Sequence, residues 1–263
     1  MQKVPPTLYN KDYYLGDNEG YREYRQGLDQ VMYEKYRLVL DIAAVKSGDT
    51  ILDIGCGRGE IVYYCVQRGA KTLGIDYSPD AIGIAQETID KLDESLRNNA
   101  KVCVADFTEY DFPDRYDTIL MVEVFEHLYD WQIEKFIGKL KDILKDNGKL
   151  IITTPNYWYE RYLYPAKRLI NIPLNLLKLP KRMIKGKYRN KPLGGILSDV
   201  FKIFPHHNSL LHEMHVNVSS PAKIRKLFKG FRVHIQCKDY SQNPLSVLLQ
   251  KRCGRQIIAV ITL

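Results

Sequence analysis

From Thr50 onward the apolar positions of the chain follow two alternating rhythms. Short apolar runs at Thr50–Ile54, Thr72–Ile75, Lys101–Ala105, Thr118–Val122 and Lys149–Thr153 read as buried strands. Between them, apolar residues recur every three or four positions over Glu60–Arg68, Pro79–Leu96 and Trp131–Leu144, the spacing of amphipathic helices. This alternation predicts an α/β domain with a mostly parallel sheet covered on both faces. One earlier helix is expected over 28–45, where Leu28, Val31, Met32, Leu38, Val39 and Ile42 fall at helical spacing. "KDNGK" at 145–149 reads as a helix stop and turn.

The rhythm fails in two places. Residues 9–24 hold five tyrosines with acids and glycines between them and no period, as expected of a loop or irregular lid. Residues 156–214 are aromatic, basic and punctuated by proline. Order returns where Ser220 precedes Pro221, the signature of a capped helix start. "FRVHIQC" and "RQIIAVITL" then read as two final strands, an antiparallel pair at one end of the sheet. The expected division is an N-terminal lid (1–27), a core (28–155), an insertion (156–214), and a C-terminal helix with the last two strands (215–263).

Composition narrows the setting. The 263 residues suffice for one large α/β domain with an insertion. No run approaches the length of an apolar membrane span, and the first residues lack a signal-type apolar core. The five cysteines are scattered without a CxxC pair, so a reducing cytoplasm is the expected location. The net charge of +8 is concentrated: residues 157–204 carry eleven Lys/Arg and two acids, which leaves the rest of the chain slightly acidic.

The candidate chemistry begins at "TILDIGCGRGEIV", residues 50–62. Asp53, Gly55, Gly57 and Gly59 form D-x-G-x-G-x-G, a strand-to-helix turn where a ligand can approach the backbone closely. The spacing is one residue short of a dinucleotide fingerprint, and the Asp53 carboxylate would repel a pyrophosphate but suit a cationic amine. Asp76 ends the second strand, where an acid can accept hydrogen bonds from ribose hydroxyls, and Asp106 ends the third. A plainer reading is a tight loop followed by helix caps. The ordered set of acids along the carboxyl edge of the sheet favours a nucleotide site.

"ILDIGCGRGE", "GIDYS", "VADFTEYDF" and "YDTILMVEVFEHLYD" resemble the ordered motifs of class I S-adenosylmethionine-dependent methyltransferases. The resemblance covers roughly residues 35–155. It implies a Rossmann-like, seven-stranded sheet of order 3-2-1-4-5-7-6, with S-adenosyl-L-methionine as cofactor. By that match Asp53 and the turn from Gly55 through Cys56 and Gly57 to Gly59 would hold the methionine part. Asp76 with Tyr77 would take the ribose, Asp106 with Phe107 the adenine, and Glu123 would face the cofactor.

After the fourth strand, Glu123, Glu126 and His127 can share one face. Three uses stay open: a catalytic base taking a proton from a hydroxyl, a ligand set for Mg²⁺, Mn²⁺ or Zn²⁺, and a purely structural histidine. The E-x-x-E-H pattern resembles the metal motif of small-RNA 2′-O-methyltransferases and ubiquinone-biosynthesis O-methyltransferases. Those families bring a further histidine from beyond the fifth strand. Here His206, His207, His212 and His215 lie in ten residues, with His215 the nearest match. The tyrosines at 9–24 either contact a sulfonium by cation–π attraction or simply pack the lid.

The insertion also reads three ways: a solvated excursion that shapes the pocket, an interfacial segment on an anionic membrane surface, or an RNA-binding surface. The leucines of "LINIPLNLLKLP" favour lipid over RNA, and the ubiquinone-pathway enzymes carry a membrane-meeting insertion at the same point. The leading expectation is O-methylation of a hydroxyl on an amphiphilic, lipid-linked or carbohydrate-bearing metabolite, on a cytoplasmic protein peripheral to the membrane. RNA 2′-O-methylation is the alternative.

Overall fold

The computed structural model describes residues 2–184, 192, 194–196, 214–238 and 254–263. Two short helices, α1 (Tyr21–Gln26) and α2 (Glu34–Ala43), precede β1 (Thr50–Ile54). Then follow α3 (Glu60–Gln67), β2 (Lys71–Asp76), α4 (Pro79–Ile89), α5 (Glu94–Arg97), β3 (Ala100–Val104), β4 (Tyr116–Val122), α6 (Asp130–Ile143) and β5 (Leu144–Pro155). A long helix, α7 (Tyr164–Ile184), belongs to the insertion, and α8 (Pro221–Leu227), β6 (Arg232–Lys238) and β7 (Gln256–Thr262) close the chain.

The strands form one seven-stranded sheet of order β3-β2-β1-β4-β5-β7-β6, as the resemblance implied. The first five are parallel, and β7 runs antiparallel to both β5 and β6. Alternate strand residues serve opposite layers. Leu52, Ile54, Ile119, Met121, Leu150 and Ile152 pack with Phe136 and Leu140 of α6 and Phe228 beyond α8. Ile51, Leu120, Ile151 and Ile258 pack with Val39 and Leu40 of α2 and Val62, Cys65 and Val66 of α3.

Three sequence expectations change at their edges. The helix expected over 28–45 starts only at Glu34, because the preceding turn is held from outside: Tyr64 Oη donates to the Leu28 carbonyl and Tyr63 Oη to Asp29 Oδ1, both at 3.1 Å. The helix expected over Pro79–Leu96 breaks after Ile89. Arg97 donates to the carbonyls of Leu92 (2.9 Å) and Asp90 (2.8 Å), which satisfies the freed acceptors. "KDNGK" is not a free turn but an irregularity inside β5. Tyr116 pairs with Leu144 and Thr118 already with Lys149. A Cβ at Gly148 would meet the Tyr116 carbonyl at 2.8 Å, so glycine is what lets that excursion fold back.

The tyrosine-rich segment 9–24, expected as a loop or irregular lid, holds a wide turn at Tyr13–Asp17 and the start of α1, and a short turn, Pro6–Leu8, precedes it. Ser220 caps α8 through Lys223 N, as its sequence signature predicted. His206, His207 and His212 lie outside the described residues.

Candidate functional site

Every acid expected at the sheet edge borders one cavity of about 410 Å³. Its floor is the turn after β1. Gly55 has φ +69, and a Cβ there would meet Val124 Cγ2 at 2.4 Å. Gly59 has φ +77 and would place a Cβ 2.9 Å from that of Ala85. Gly55, Cys56 and Gly57 line the cavity. Gly59 does not. Its smallness serves the close approach of α3 to α4, a packing role rather than the expected ligand contact.

Asp53 is buried at the end of β1, and its Oδ2 has no hydrogen-bond partner in the protein. Burial, then repulsion from Asp76 and Glu60, raises its pKa well above the carboxylate range. Asp76 is better held: Oδ1 accepts from Ser78 N (2.9 Å), and Oδ2 from Gly57 N (3.1 Å) and Tyr14 Oη (3.4 Å). Burial still pushes it up to about 6. Asp106 is half-buried. Burial works against its charge, but bonds from Lys3 and Thr108 outweigh that and lower its pKa. Phe107 stands edge-on to Phe136, and Tyr77 donates to the Val4 carbonyl at 3.0 Å.

The roof is the N-terminal segment. Val4, Tyr9, Tyr13, Tyr14, Asn18 and Glu19 all line the cavity. It is fastened by the buried Arg58, which donates to the carbonyls of Tyr14 (3.0 Å) and Glu19 (2.9 Å) and pairs with Glu60. Ser78 Oγ donates to the Tyr9 carbonyl at 2.6 Å.

Glu123 departs from expectation. It follows β4 with φ +56, a left-handed conformation that costs a non-glycine residue free energy of order 1–3 kcal/mol. Its Oε2 is 2.7 Å from Lys35 Nζ, and its Oε1 accepts from Thr153 Oγ1 (2.9 Å) and from Gln256 Nε2. The carboxylate is thus committed to Lys35 and is not part of the metal-type cluster, contrary to the expected four-residue set. Burial opposes the charge on Lys35, but Glu123 and Glu19 more than reverse it, so its pKa is raised. The same cation pulls Glu19 down to about 2 against the cost of burial. Arg255 reaches Glu19 Oε1 at 3.2 Å.

The remaining three expected residues do meet. Glu126, His127 and His215 each offer a ligand atom, all within 4.8 Å of one another. A short 3₁₀ turn, Phe125–His127, carries the first two, and His215 arrives from the segment before α8. Burial and the Glu123 charge raise the pKa of Glu126, and its Oε2 accepts from Thr154 Oγ1 at 3.1 Å. Burial and the adjacent His215 push His127 down to about 3, so its imidazole is neutral. With Nδ1–H donated to the Met214 carbonyl at 3.1 Å, Nε2 is the nitrogen that carries the lone pair. One carboxylate and two imidazoles suit a divalent transition metal better than an all-oxygen Mg²⁺ site.

Lys35, Glu19, Arg255 and Gln256 were not foreseen. "EKYR" looks like any exposed helix face, and nothing in the sequence marks its lysine as buried. Arg58 and Glu60 were in view inside the glycine turn but carried no sign of gripping the N-terminal segment.

A family profile described as mycolic acid cyclopropane synthetase matches residues 19–167. The (S)-coclaurine N-methyltransferase of Thalictrum flavum subsp. glaucum is 27% identical over 161 residues, 54% of this chain and 43% of that protein. A probable fatty acid methyltransferase of Mycobacterium tuberculosis is 29% identical over 124 residues, 47% of this chain and 28% of that protein. The chain thus spans less than half the length of these curated relatives. Among solved structures, the CcbJ methyltransferase of Streptomyces caelestis superposes with a TM-score of 0.61 at 12% identity, over 98% of each chain. That likeness is one of fold: the sheet is that of Rossmann-like methyltransferases.

Proposed function

We propose that this chain, which belongs to the mycolic acid cyclopropane synthetase family, binds S-adenosylmethionine and transfers its methyl group to a hydroxyl of an amphiphilic or carbohydrate-bearing acceptor. The carrying observation is Asp53 Oδ2, a buried carboxylate oxygen without a protein partner, beside a glycine turn in a cavity of about 410 Å³. Such an atom calls for a donor from a ligand, and a cationic amine is the donor that keeps the carboxylate ionised. Asp76 and Asp106 offer acceptors for a ribose and a purine amine, and Phe107 an apolar face.

When bound, the sulfonium supplies a methyl group on a good leaving atom. The protein then has to align the acceptor, exclude water and accept a proton. The roof tyrosines exclude water. For the proton a hydroxyl loses as its oxygen takes the methyl, His127 offers the Nε2 lone pair. Held near 3 it is a weak base, so the transfer requires Glu126, whose carboxylate lies within 4.8 Å, to be ionised and to hold the imidazolium. Glu126, His127 and His215 also fit a divalent cation. Bound there, it would hold Glu126 ionised, lower the pKa of a coordinated hydroxyl, and leave His127 as ligand instead of base.

A second reading, methylation of an amine, has the name of the Thalictrum relative in its favour. A free amine attacks without prior loss of a proton, so it needs no base. Calorimetric titration of S-adenosylmethionine into wild type and Asp53→Asn tests cofactor binding; equal affinity would overturn the cradle. Incubation with methyl-labelled cofactor and lipid, glycan, amine and RNA fractions tests the acceptor. Label in the lipid or glycan fraction that falls at least tenfold in His127→Gln supports O-methylation. Label in the amine fraction that survives that substitution supports the second reading, and label in RNA alone would overturn both.

A further inference from the structure

We infer that the outer face of α7 is a docking surface for an anionic lipid bilayer, which would present membrane-resident acceptors to the cavity. The helix has 21 residues, and its sequence places Leu169, Ile170, Leu176, Leu177 and Met183 on a single stripe. In a soluble helix such a stripe faces the core. Here it faces outward: Leu177 is 77% and Ile170 65% exposed, and the other three are exposed as well. Two prolines, Pro173 and Pro180, lie exposed on the same side. Just before the helix, Trp158 and Tyr162 stack at 5.3 Å between ring centroids and are likewise exposed. Aromatic rings beside an aliphatic stripe match the order of headgroup and acyl layers.

Charge selects the occupant. Residues 157–184 carry six Lys/Arg against one acid. Arg161 and Lys181 are exposed, and Lys167 lies over the Tyr159 ring at 4.9 Å. Cations flanking an aliphatic stripe suit an anionic bilayer, whereas nucleic acid would use the cations and leave the leucines in water. No described helix is long and apolar enough to cross a membrane, so α7 would lie in the interface. Its placement bears on the chemistry: Glu160, in the turn that leads into α7, lines the cavity. The delivery of the acceptor rests on the methyltransferase reading; the docking does not.

The test is sedimentation of the full chain with vesicles of phosphatidylcholine alone and of phosphatidylcholine mixed with phosphatidylglycerol. The expected result is partition onto the mixed vesicles, weakened about tenfold by Ile170→Glu or Leu177→Glu, since each removes one buried aliphatic side chain. Lys181→Glu should weaken it about fivefold or more by charge reversal. Leu177→Ser probes the same position with less disturbance. All variants should bind S-adenosylmethionine as wild type does, which separates this surface from the cavity. Absence of vesicle binding would overturn the proposal. So would binding indifferent to Leu177→Glu, a self-association that Leu177→Glu dissolves in place of vesicle binding, or retention of an RNA oligomer without vesicles. Vesicle binding by a chain that fails to bind S-adenosylmethionine would leave the docking surface standing and remove the methyltransferase reading.

Discussion

The ammonium of Lys35 lies 2.7 Å from Glu123 Oε2 and 2.7 Å from Glu19 Oε2, so one buried cation ties the end of β4 to the N-terminal roof. Removing it would leave Glu123 without a counter-charge and Glu19 with Arg255 alone. Glu19 and Glu123 keep some solvent, so Lys35→Met should cost about 2–3 kcal/mol, below the range for fully buried pairs. For a chain of this size that is a drop of roughly 5–10 °C in Tm. Lys35→Met Glu123→Gln should recover part of it, because the carboxylate left without a cation is gone. An unchanged melting curve in Lys35→Met would refute the clasp.

The Asp76 carboxyl titrates near 6 in the folded chain against 3.8 unperturbed. Between those values the folded state holds a proton that the unfolded state has released. Stability of the ligand-free protein therefore falls as pH rises across that window, and the penalty is complete above it. Asp76→Asn removes the charge and keeps an acceptor for Ser78 N. Its amide NH₂ faces the Gly57 N–H from which Oδ2 accepts, a loss at every pH, so its stability relative to wild type should be about 1–2 kcal/mol higher at pH 8 than at pH 4. Denaturant titrations at both pH values measure this. Cofactor affinity should move the other way.

If Glu126, His127 and His215 hold a cation, Mn²⁺ or Zn²⁺ should raise the melting temperature of wild type. At a hundredfold excess over the dissociation constant the gain is about 2.7 kcal/mol. Glu126→Gln and His215→Ala should show little of that shift, and EDTA should abolish it. A shift of equal size in all three proteins would place the ion elsewhere.

The turn after β1 allows a paired test. Gly55→Ala adds a methyl 2.4 Å from Val124 Cγ2 at φ +69 and should destabilise by about 2–4 kcal/mol. Gly83→Ala, in α4 with nothing within 4 Å of the added carbon, should stabilise by about 0.5–1 kcal/mol. Equal effects would mean that the turn can relax.

The parallel strands and their helices were readable because period two and period three-to-four survive in any well-packed α/β layer. The acids that border the cavity were readable because Asp53, Asp76 and Asp106 each sit where an apolar run stops. The partners of Glu123 were not. Lys35 lies 88 positions earlier, and its burial depends on how α2 meets β4, which no local pattern encodes. The start of α2 is not legible for a similar reason: Tyr63 and Tyr64, distant in sequence, supply the hydrogen bonds that hold the preceding turn.

The fastening of the N-terminal segment has a kinetic consequence. Tyr14 and Lys3 already occupy the carboxylates of Asp76 and Asp106, and the backbone above them is bolted to Arg58 and Ser78. A ligand that takes its hydrogen bonds from those two carboxylates would have to exchange these contacts on entry and restore them on departure. Where release of the first twenty residues is the slow step, residence time would be set by the segment and not by the ligand, and two ligands of equal affinity would leave at a common rate.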